Sequence, residues 1–133
     1  MGSDEDVQPD RPIRSYQDLL VFQKAMDLVD MAYLVSASFP RFEDFGLRSQ
    51  MTRAAVSVIT NIAEGQSRAT SKDFANFLVM ARSSVRETEA LFLVAARQKY
   101  IDAQSTARAM TLTDEISRML NSLRSSVLRR GRR

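Results

Sequence analysis

The scarcity of helix-breaking residues is the feature that most constrains what this chain can fold into. Between residues 13 and 130, proline and glycine occur only at Pro40, Gly46 and Gly65. Proline cannot continue a helix interior and glycine is disfavoured there, so these residues mark breaks between long helices. The sequence therefore predicts an all-α chain.

The breaks and the capping residues together predict four helices, which cover residues 15–38, 44–65, 70–99 and 103–128. Ser15 fits the N-cap of the first helix, and Gly65 fits a left-handed residue just past the end of the second. Thr70 and Asp73 are spaced as a capping box for the third. Four long helices with short connections predict an antiparallel up-down-up-down bundle.

The charges divide the chain into three parts: residues 1–14, 15–128 and 129–133. The first part is an acidic segment, which we expect to be disordered, and the last is an arginine-rich tail. Between them lies the predicted bundle. A length of 133 residues with 44% hydrophobic residues suits one domain with one buried core.

The composition excludes several classes of protein. The chain has no cysteine and no histidine, so disulfide frameworks, Ser-His and Cys-His catalytic pairs and histidine-containing metal sites are ruled out. Neither an apolar leader nor a run long enough for a membrane span occurs in the sequence. We therefore expect a cytoplasmic protein that is not an enzyme, has no cofactor and does not bind a membrane.

Apolar residues on the first three predicted helices exceed what one core requires. On the first helix, the expected core stripe includes Met26 and Tyr33, and further apolar residues repeat about 100° away round the helix. The surplus residues are Val21, Leu28, Val35, Val56, Ile59, Val79 and Leu93. Contiguous apolar patches are unusual on soluble monomers, so this surplus predicts a homo-oligomer. The alternative is a small bundle that leaves some aliphatic side chains exposed.

A polar stripe interrupts the second helix at Arg53, Ser57, Asn61 and Glu64. Their spacing places all four side chains on one side of a helix, where successive members are neighbours. One interpretation is a ligand or nucleic-acid site, and the other is a hydrogen-bonded contact that fixes helix or subunit packing. We favour packing, because the stripe lacks the second carboxylate or histidine that acid-base catalysis usually uses. Glu64 lies unfavourably at a helix C-terminus and is expected to pair with a cation, either Arg68 or an arginine of another helix.

Basic residues near the helix ends and the tail are the candidates for contact with a polyanion. They are Arg68, Lys72, Arg124, Arg129, Arg130, Arg132 and Arg133. Arginine binds phosphate through paired hydrogen bonds as well as through charge. By contrast, Arg82, Arg86 and Arg97 lie among aliphatic residues on the third helix, which fits a subunit interface better than a phosphate track. No aromatic residue is interleaved with these arginines, so sequence-specific recognition of single strands is not expected.

Three stretches of the sequence resemble a known family: "YQDLLVFQKAMDLV", "FPRFEDFGLRSQMTRAAVSVITNIAEG" and "DFANFLVMARSSVRETEALFLVA". They look like the bacterial four-helix-bundle proteins encoded in intervening sequences of large-subunit ribosomal RNA genes. The resemblance covers residues 15 to 127 and includes the run "RAAxSxxxNIAEG", which contains the polar stripe. This chain has Ile59 where many relatives have proline, so a continuous helix is expected here.

The resemblance implies a left-handed bundle and, in characterised members, a barrel-like homopentamer. It implies no enzymatic activity. That fold is similar to the accessory variability proteins of diversity-generating retroelements, whose basic pentamers bind nucleic acid and a reverse transcriptase. We therefore expect a non-enzymatic homo-oligomer that binds RNA or DNA through arginine clusters, mainly at phosphates. The alternative is an interaction scaffold or accessory subunit that binds a protein partner and no nucleic acid.

Overall fold

The computed structural model describes residues 19–131. These residues form the helices α1 (Leu20–Ser36), α2 (Leu47–Gln66), α3 (Ser71–Arg97) and α4 (Ala103–Gly131), with a short 3₁₀ turn at Arg41–Glu43. The all-α class expected from the sequence is confirmed. The acidic segment of residues 1–14, the Ser15 cap, and Arg132 and Arg133 lie outside the described residues.

The helices pack as a bundle around one core. Each helix contacts the next one in the chain, and α1 also contacts α4. The contacts of α3 with α2 and α4 are much more extensive than the contact of α1 with α4. Fully buried side chains from all four helices fill the centre, among them Leu28, Met51, Phe92, Leu120 and Leu123. The α3 helix therefore has the most extensive contacts of the four, and side chains on its two flanks meet α2 and α4.

Short polar side chains set where α3 and α4 begin. The Thr70 hydroxyl accepts a hydrogen bond from the Asp73 backbone N–H at 3.1 Å, as the capping-box spacing predicts. The Asp102 carboxylate accepts one from the Ser105 N–H at 2.7 Å. This bond to the ionised carboxylate lowers the pKa of Asp102 below its ordinary value. Each bond satisfies an N–H that has no partner within its own helix.

The connection between α1 and α2 is tied to the connection between α3 and α4. One oxygen of the Glu43 carboxylate accepts from the Leu47 backbone N–H at 3.0 Å, and the other accepts from the Tyr100 hydroxyl at 3.0 Å. The Tyr100 ring lies against Phe39, with ring centroids 5.2 Å apart. Gly46 is the N-cap of α2, and the helix begins at Leu47. The sequence predicted a start at Asp44, three residues too early.

Gly65 does not end α2 in a left-handed conformation, so that prediction is wrong. It is a buried residue in the last turn of the helix, and no glycine in residues 19–131 has a positive φ. The left-handed residue is Lys99, with φ 64°, which follows the C-cap Gln98 of α3. The Lys99 N–H donates to the Ala96 carbonyl and the Tyr100 N–H donates to the Ala95 carbonyl, which is the Schellman pattern that ends a helix.

The orientation of α1 shows that two residues predicted to lie at the oligomer contact are instead in the core. Val21 and Leu28 are 0% exposed and lie in the core of the single chain, so they cannot form a contact between subunits. Met26 and Tyr33, which were expected in the core, are 37% and 53% exposed. The helix is rotated so that the small residues Ala25 and Ala32 face inward. Small side chains allow a close approach, which periodicity alone does not reveal.

The other surplus residues are distributed between partial burial and exposure. Val35, Val56 and Ile59 are partly buried against the core, whereas Val79 and Leu93 are exposed on α3. The end of α4 also differs from the expectation, because this helix runs beyond Leu128 and includes Arg129 and Arg130. No helix within residues 19–131 has both the length and the hydrophobicity that crossing a membrane requires.

Candidate nucleic-acid interface

Three arginines converge on a cleft between α3 and α4. Arg82 and Arg86, four residues apart on α3, form one side, and Arg124 of α4 forms the other. The cleft has a volume of about 220 Å³, and Leu78 and Leu120 are among its apolar lining residues. We call Arg82, Arg86 and Arg124 the arginine cleft. Three guanidinium groups around one small space favour an anionic occupant.

Little negative charge offsets the arginine cleft. Within the described residues, Arg82 and Arg124 form no ion pair, and Arg86 is 3.9 Å from a Glu89 carboxylate oxygen. The Nε of Arg82 is buried and has no hydrogen-bond partner. A buried donor without an acceptor costs free energy, and because solvent does not reach this atom, an anion in the cleft would bind the other N–H groups of these arginines.

The positive surface continues from the arginine cleft toward the end of α4. Arg124 also lines a neighbouring depression of about 420 Å³, together with Lys72 and Asn76 of α3. Gly131 lies at the same place, against Ser71. Arg129 and Arg130 in the last turn of α4 are exposed. Lys72, Arg82, Arg86 and Arg124 therefore line two adjacent depressions along the α3–α4 boundary.

The structure brings together some of the predicted basic residues and separates others. Lys72 and Arg124 line one depression, as a shared binding surface requires. Arg68 is engaged elsewhere: it donates to the Glu64 carboxylate at 2.6 Å, as expected, and its guanidinium lies 4.7 Å from the Phe77 ring centroid. Arg68 is thus held by a carboxylate and an aromatic ring, which makes it a weaker candidate for phosphate.

Sequence reasoning did not assign Arg82 and Arg86 to this surface, because aliphatic residues surround them along α3. Their four-residue spacing was visible in the sequence. Their position opposite Arg124 depends on how α3 and α4 are aligned, which one sequence does not specify.

The polar stripe of α2 makes contacts inside the chain. The hydroxyl oxygens of Ser57 and of Ser84 on α3 lie 2.8 Å apart. The Asn61 amide donates to the Ser57 carbonyl at 2.8 Å and to its hydroxyl at 3.2 Å. Arg53 is exposed. The Ser57–Ser84 contact joins α2 to α3, and the Asn61 bonds lie within α2. Both favour packing over ligand binding as the role of the stripe.

A second groove runs between α1 and α4, where the helices are least tightly packed. It consists of two depressions of about 690 and 760 Å³, on either side of an ion pair between Lys24 and Glu115 at 3.4 Å. Its lining mixes acidic, basic and apolar side chains. Across residues 19–131, no group of three or more acidic, histidine or cysteine side chains is arranged to hold a metal ion.

Large apolar side chains are exposed on α1, with Met26, Tyr33 and Leu34, and in two further places away from the core. One is the outer face of α3, with Val79, Met80, Leu93 and Val94. The other is the α1–α2 connection, where Phe42 is 79% exposed and Phe45 is fully exposed. Both surfaces are candidates for contact with another protein chain.

A crystal structure of a protein of unknown function from the S23 ribosomal protein family of Bacteroides thetaiotaomicron has a similar fold. Its sequence is 24% identical, the match covers 78% of this chain and 97% of that one, and the TM-score is 0.71. No curated protein matches the sequence. The model of the 23S rRNA-intervening sequence protein family matches residues 17–122. This match spans most of the chain and contains its four helices except the end of α4, so the protein belongs to the 23S rRNA-intervening sequence protein family.

Proposed function

We propose that this protein is a non-enzymatic homo-oligomeric bundle that binds RNA or DNA through phosphate contacts along the α3–α4 boundary. The arginine cleft is the observation that carries the proposal. It brings together three arginine side chains, which are hydrogen-bond donors, and within the described residues only Arg86 among them forms an ion pair, with Glu89. Phosphate oxygens accept such donors in pairs, and the backbone of any nucleic acid supplies them at a regular spacing.

Contact with phosphates predicts how binding depends on salt. Each phosphate neutralised by a basic side chain releases condensed counterions, so the logarithm of affinity falls by about 0.7 to 0.9 per contact for each tenfold rise in salt. Lys72 and Arg124 extend the cleft, so one subunit offers several such contacts. In an oligomer these weak sites act together.

The exposed face of α3 supports the oligomer. Val79, Leu93 and Val94 form an apolar surface that a second copy of the chain would cover. The homopentamer implied by the family resemblance is the proposed assembly. Val79 also lines the arginine cleft, so a contact through this face would place the cleft beside the neighbouring subunit.

The helix directions support the up-down-up-down order, which we propose with a left-handed arrangement. Gly65 near the end of α2 lies against Phe74 and Phe77 near the start of α3. Glu89 in the second half of α3 accepts a hydrogen bond from Thr113 in the first half of α4, and Ser71 meets Gly131.

The proposal is tested by comparing two triple variants with equal loss of charge. In the first, Arg82, Arg86 and Arg124 are changed to glutamine. In the second, the exposed residues Arg41, Arg108 and Arg118 on other faces are changed in the same way. Fluorescence anisotropy with a labelled structured RNA and a labelled DNA duplex, over a series of salt concentrations, gives the affinity and its salt dependence.

We expect the cleft variant to lose at least tenfold in affinity with a shallower salt dependence, and the control to lose less than threefold. Equal losses in both variants would show that only net charge matters and would overturn the arginine cleft as the site. Light scattering after size-exclusion chromatography gives the number of subunits in the same samples. A measured mass of one chain would overturn the proposed homo-oligomer.

A second candidate function is an interaction scaffold that binds another protein. Phe42 and Phe45 favour it, because two exposed phenylalanines lie on a connection held by Glu43 and Tyr100. Rigid aromatic side chains are typical anchors of protein interfaces. An oligomer that binds neither nucleic acid even at low salt would support the scaffold over the leading proposal.

A further inference from the structure

The acidic segment before α1 carries the charge that the arginine cleft lacks. Residues 1–10 contain four carboxylates and no lysine or arginine; they are Asp4, Glu5, Asp6 and Asp10. The cleft presents three guanidinium groups and has Glu89 as its nearby acid. Opposite charges of this density in one chain attract each other at moderate salt.

The start of α1 lies close to the arginine cleft. Leu20 lines the α1–α4 groove together with Asn121 and Ser122 of α4. Asn121 also lines the arginine cleft, so the two surfaces adjoin at the same turn of α4. A chain leaving α1 at Leu19 therefore has only the width of α4, about 10 Å, to cross before it reaches the cleft.

The length of the segment is sufficient for this path. Leu19 is nine positions after Asp10 in the chain. An extended chain of that length spans at most about 30 Å, which exceeds the width of one helix with its side chains. Asp4, Glu5 and Asp6 lie farther along the chain and can therefore reach Arg82 and Arg86 as well.

We propose that residues 4–10 occupy the arginine cleft of the free protein and compete with nucleic acid for it. Their carboxylates accept hydrogen bonds from accessible N–H groups of the three arginines that line the cleft, in place of phosphate oxygens. Because the segment is tethered, its effective concentration at the cleft is about millimolar, and even weak contacts reduce the affinity for an external ligand. The competition with nucleic acid rests on the proposed function, whereas the contact between residues 4–10 and the arginine cleft does not.

The contact is measured with spin labels, for which this cysteine-free chain is well suited. One label is placed at Val7→Cys, which retains every acidic residue, and the other at the exposed Ser125→Cys beside Arg124. A matched control replaces the second site with the exposed Thr111→Cys, about 21 Å along α4 at 1.5 Å per residue. Excess unlabelled protein ensures that each measured distance lies within one chain.

We expect a short Val7–Ser125 distance at low salt that lengthens in high salt and when Arg82, Arg86 and Arg124 are changed to glutamine. The distance to Thr111 should be longer and should respond less. A Val7–Ser125 distance that is the same in the glutamine variant would overturn the proposal, whether or not the protein binds nucleic acid.

The competition is measured in a variant whose four carboxylates, at Asp4, Glu5, Asp6 and Asp10, are changed to the corresponding amides. We expect this variant to bind the labelled RNA or DNA about threefold to tenfold more tightly than the unchanged protein. In the background of the glutamine cleft variant, the same change should have no effect. An equal gain there would indicate a general charge effect and would overturn the competition.

The two experiments separate the contact from the proposed function. A salt-sensitive Val7–Ser125 distance in a protein that binds no nucleic acid would support the contact and overturn nucleic-acid binding. Binding that depends on the cleft, together with an unchanged distance, would support the proposed function and overturn the contact.

Discussion

A Cβ atom added to Gly65 would lie 2.6 Å from the Cβ of Phe77 and 3.0 Å from Cδ1 of the Phe74 ring. Real side chains do not approach so closely. The end of α2 therefore lies against the first turns of α3 at a position where only glycine fits. This close approach explains why a glycine lies inside α2, where it would otherwise weaken the helix.

The first prediction concerns Gly65→Ala. In an exposed helix this change usually stabilises by about 1 kcal/mol. Here the added methyl group forces α2 and α3 apart, and we expect the free energy of unfolding to fall by about 1 to 3 kcal/mol. Urea denaturation measures it, with the exposed Ser125→Ala as a control that changes stability by less than about 0.5 kcal/mol. A more stable Gly65→Ala variant would contradict the close approach.

The number and approximate bounds of the helices follow from the sequence, because glycine, proline and capping residues act over a few positions. The Thr70 cap and the pair between Arg68 and Glu64 are local contacts and were predicted correctly. Gly65 shows the limit of such reasoning. A terminal glycine is commonly left-handed, but here it is helical, and its role depends on phenylalanines of another helix.

The same limit applies to contacts between helices. Two apolar stripes on α1 satisfy the same periodicity, so only the packing shows that Val21 and Leu28 face the core. The arginine cleft depends on the alignment of Arg124 with Arg82 and Arg86, which lie about 40 residues earlier in the chain. Spacing along one helix carries no information about that alignment.

The second prediction concerns the hydroxyl contact between Ser57 and Ser84. Replacing either residue with alanine leaves the other hydroxyl without its partner across α2 and α3. In a double-mutant cycle we expect a coupling of about 0.5 to 1.5 kcal/mol in the free energy of unfolding. Nucleic-acid affinity should stay the same, because the polar stripe acts in packing.

The control for this cycle pairs Ser57→Ala with Ser83→Ala, since Ser83 is exposed next to Ser84. That pair should show no coupling. Additive effects at Ser57 and Ser84, or a loss of nucleic-acid affinity in Ser57→Ala, would contradict the packing role.

The third prediction concerns Tyr100→Phe, which removes the hydroxyl bonded to Glu43 and keeps the ring beside Phe39. We expect a lower melting temperature at pH 7, because one Glu43 oxygen loses its donor. Partial burial, followed by the Glu43 contact, raises the pKa of Tyr100 above 10.0. The raised pKa contributes stability that is complete below pH 10.0 and is lost as the pH rises through the folded-state pKa.

The difference in melting temperature between the two proteins should therefore narrow above pH 10.0, and thermal unfolding followed by circular dichroism measures it. The exposed Tyr33→Phe is the matched control and should change little at any pH. If the difference in melting temperature between the unchanged protein and Tyr100→Phe stayed constant from pH 7 to above pH 10.0, that would contradict the hydrogen bond between Tyr100 and Glu43.

The fourth prediction concerns Asp102, whose carboxylate caps α4 through the Ser105 N–H. This bond lowers the folded-state pKa of Asp102, so near its ordinary value of 3.8 the unfolded chain binds the proton more readily. The contribution to stability is therefore present above pH 3.8 and is lost as the pH falls through the lowered pKa. We expect Asp102→Ala to lower the melting temperature at pH 7 and to differ less from the unchanged protein in strong acid.

Asp102→Asn separates the charge from the cap, because asparagine also accepts the Ser105 hydrogen bond but does not titrate. Its melting temperature should lie between those of the other two proteins at pH 7 and should reach or exceed that of the unchanged protein in strong acid. Thermal unfolding at a series of pH values below 7 measures all three. If Asp102→Ala lost the same stability at every pH, the ionised carboxylate would not be the group that holds the start of α4.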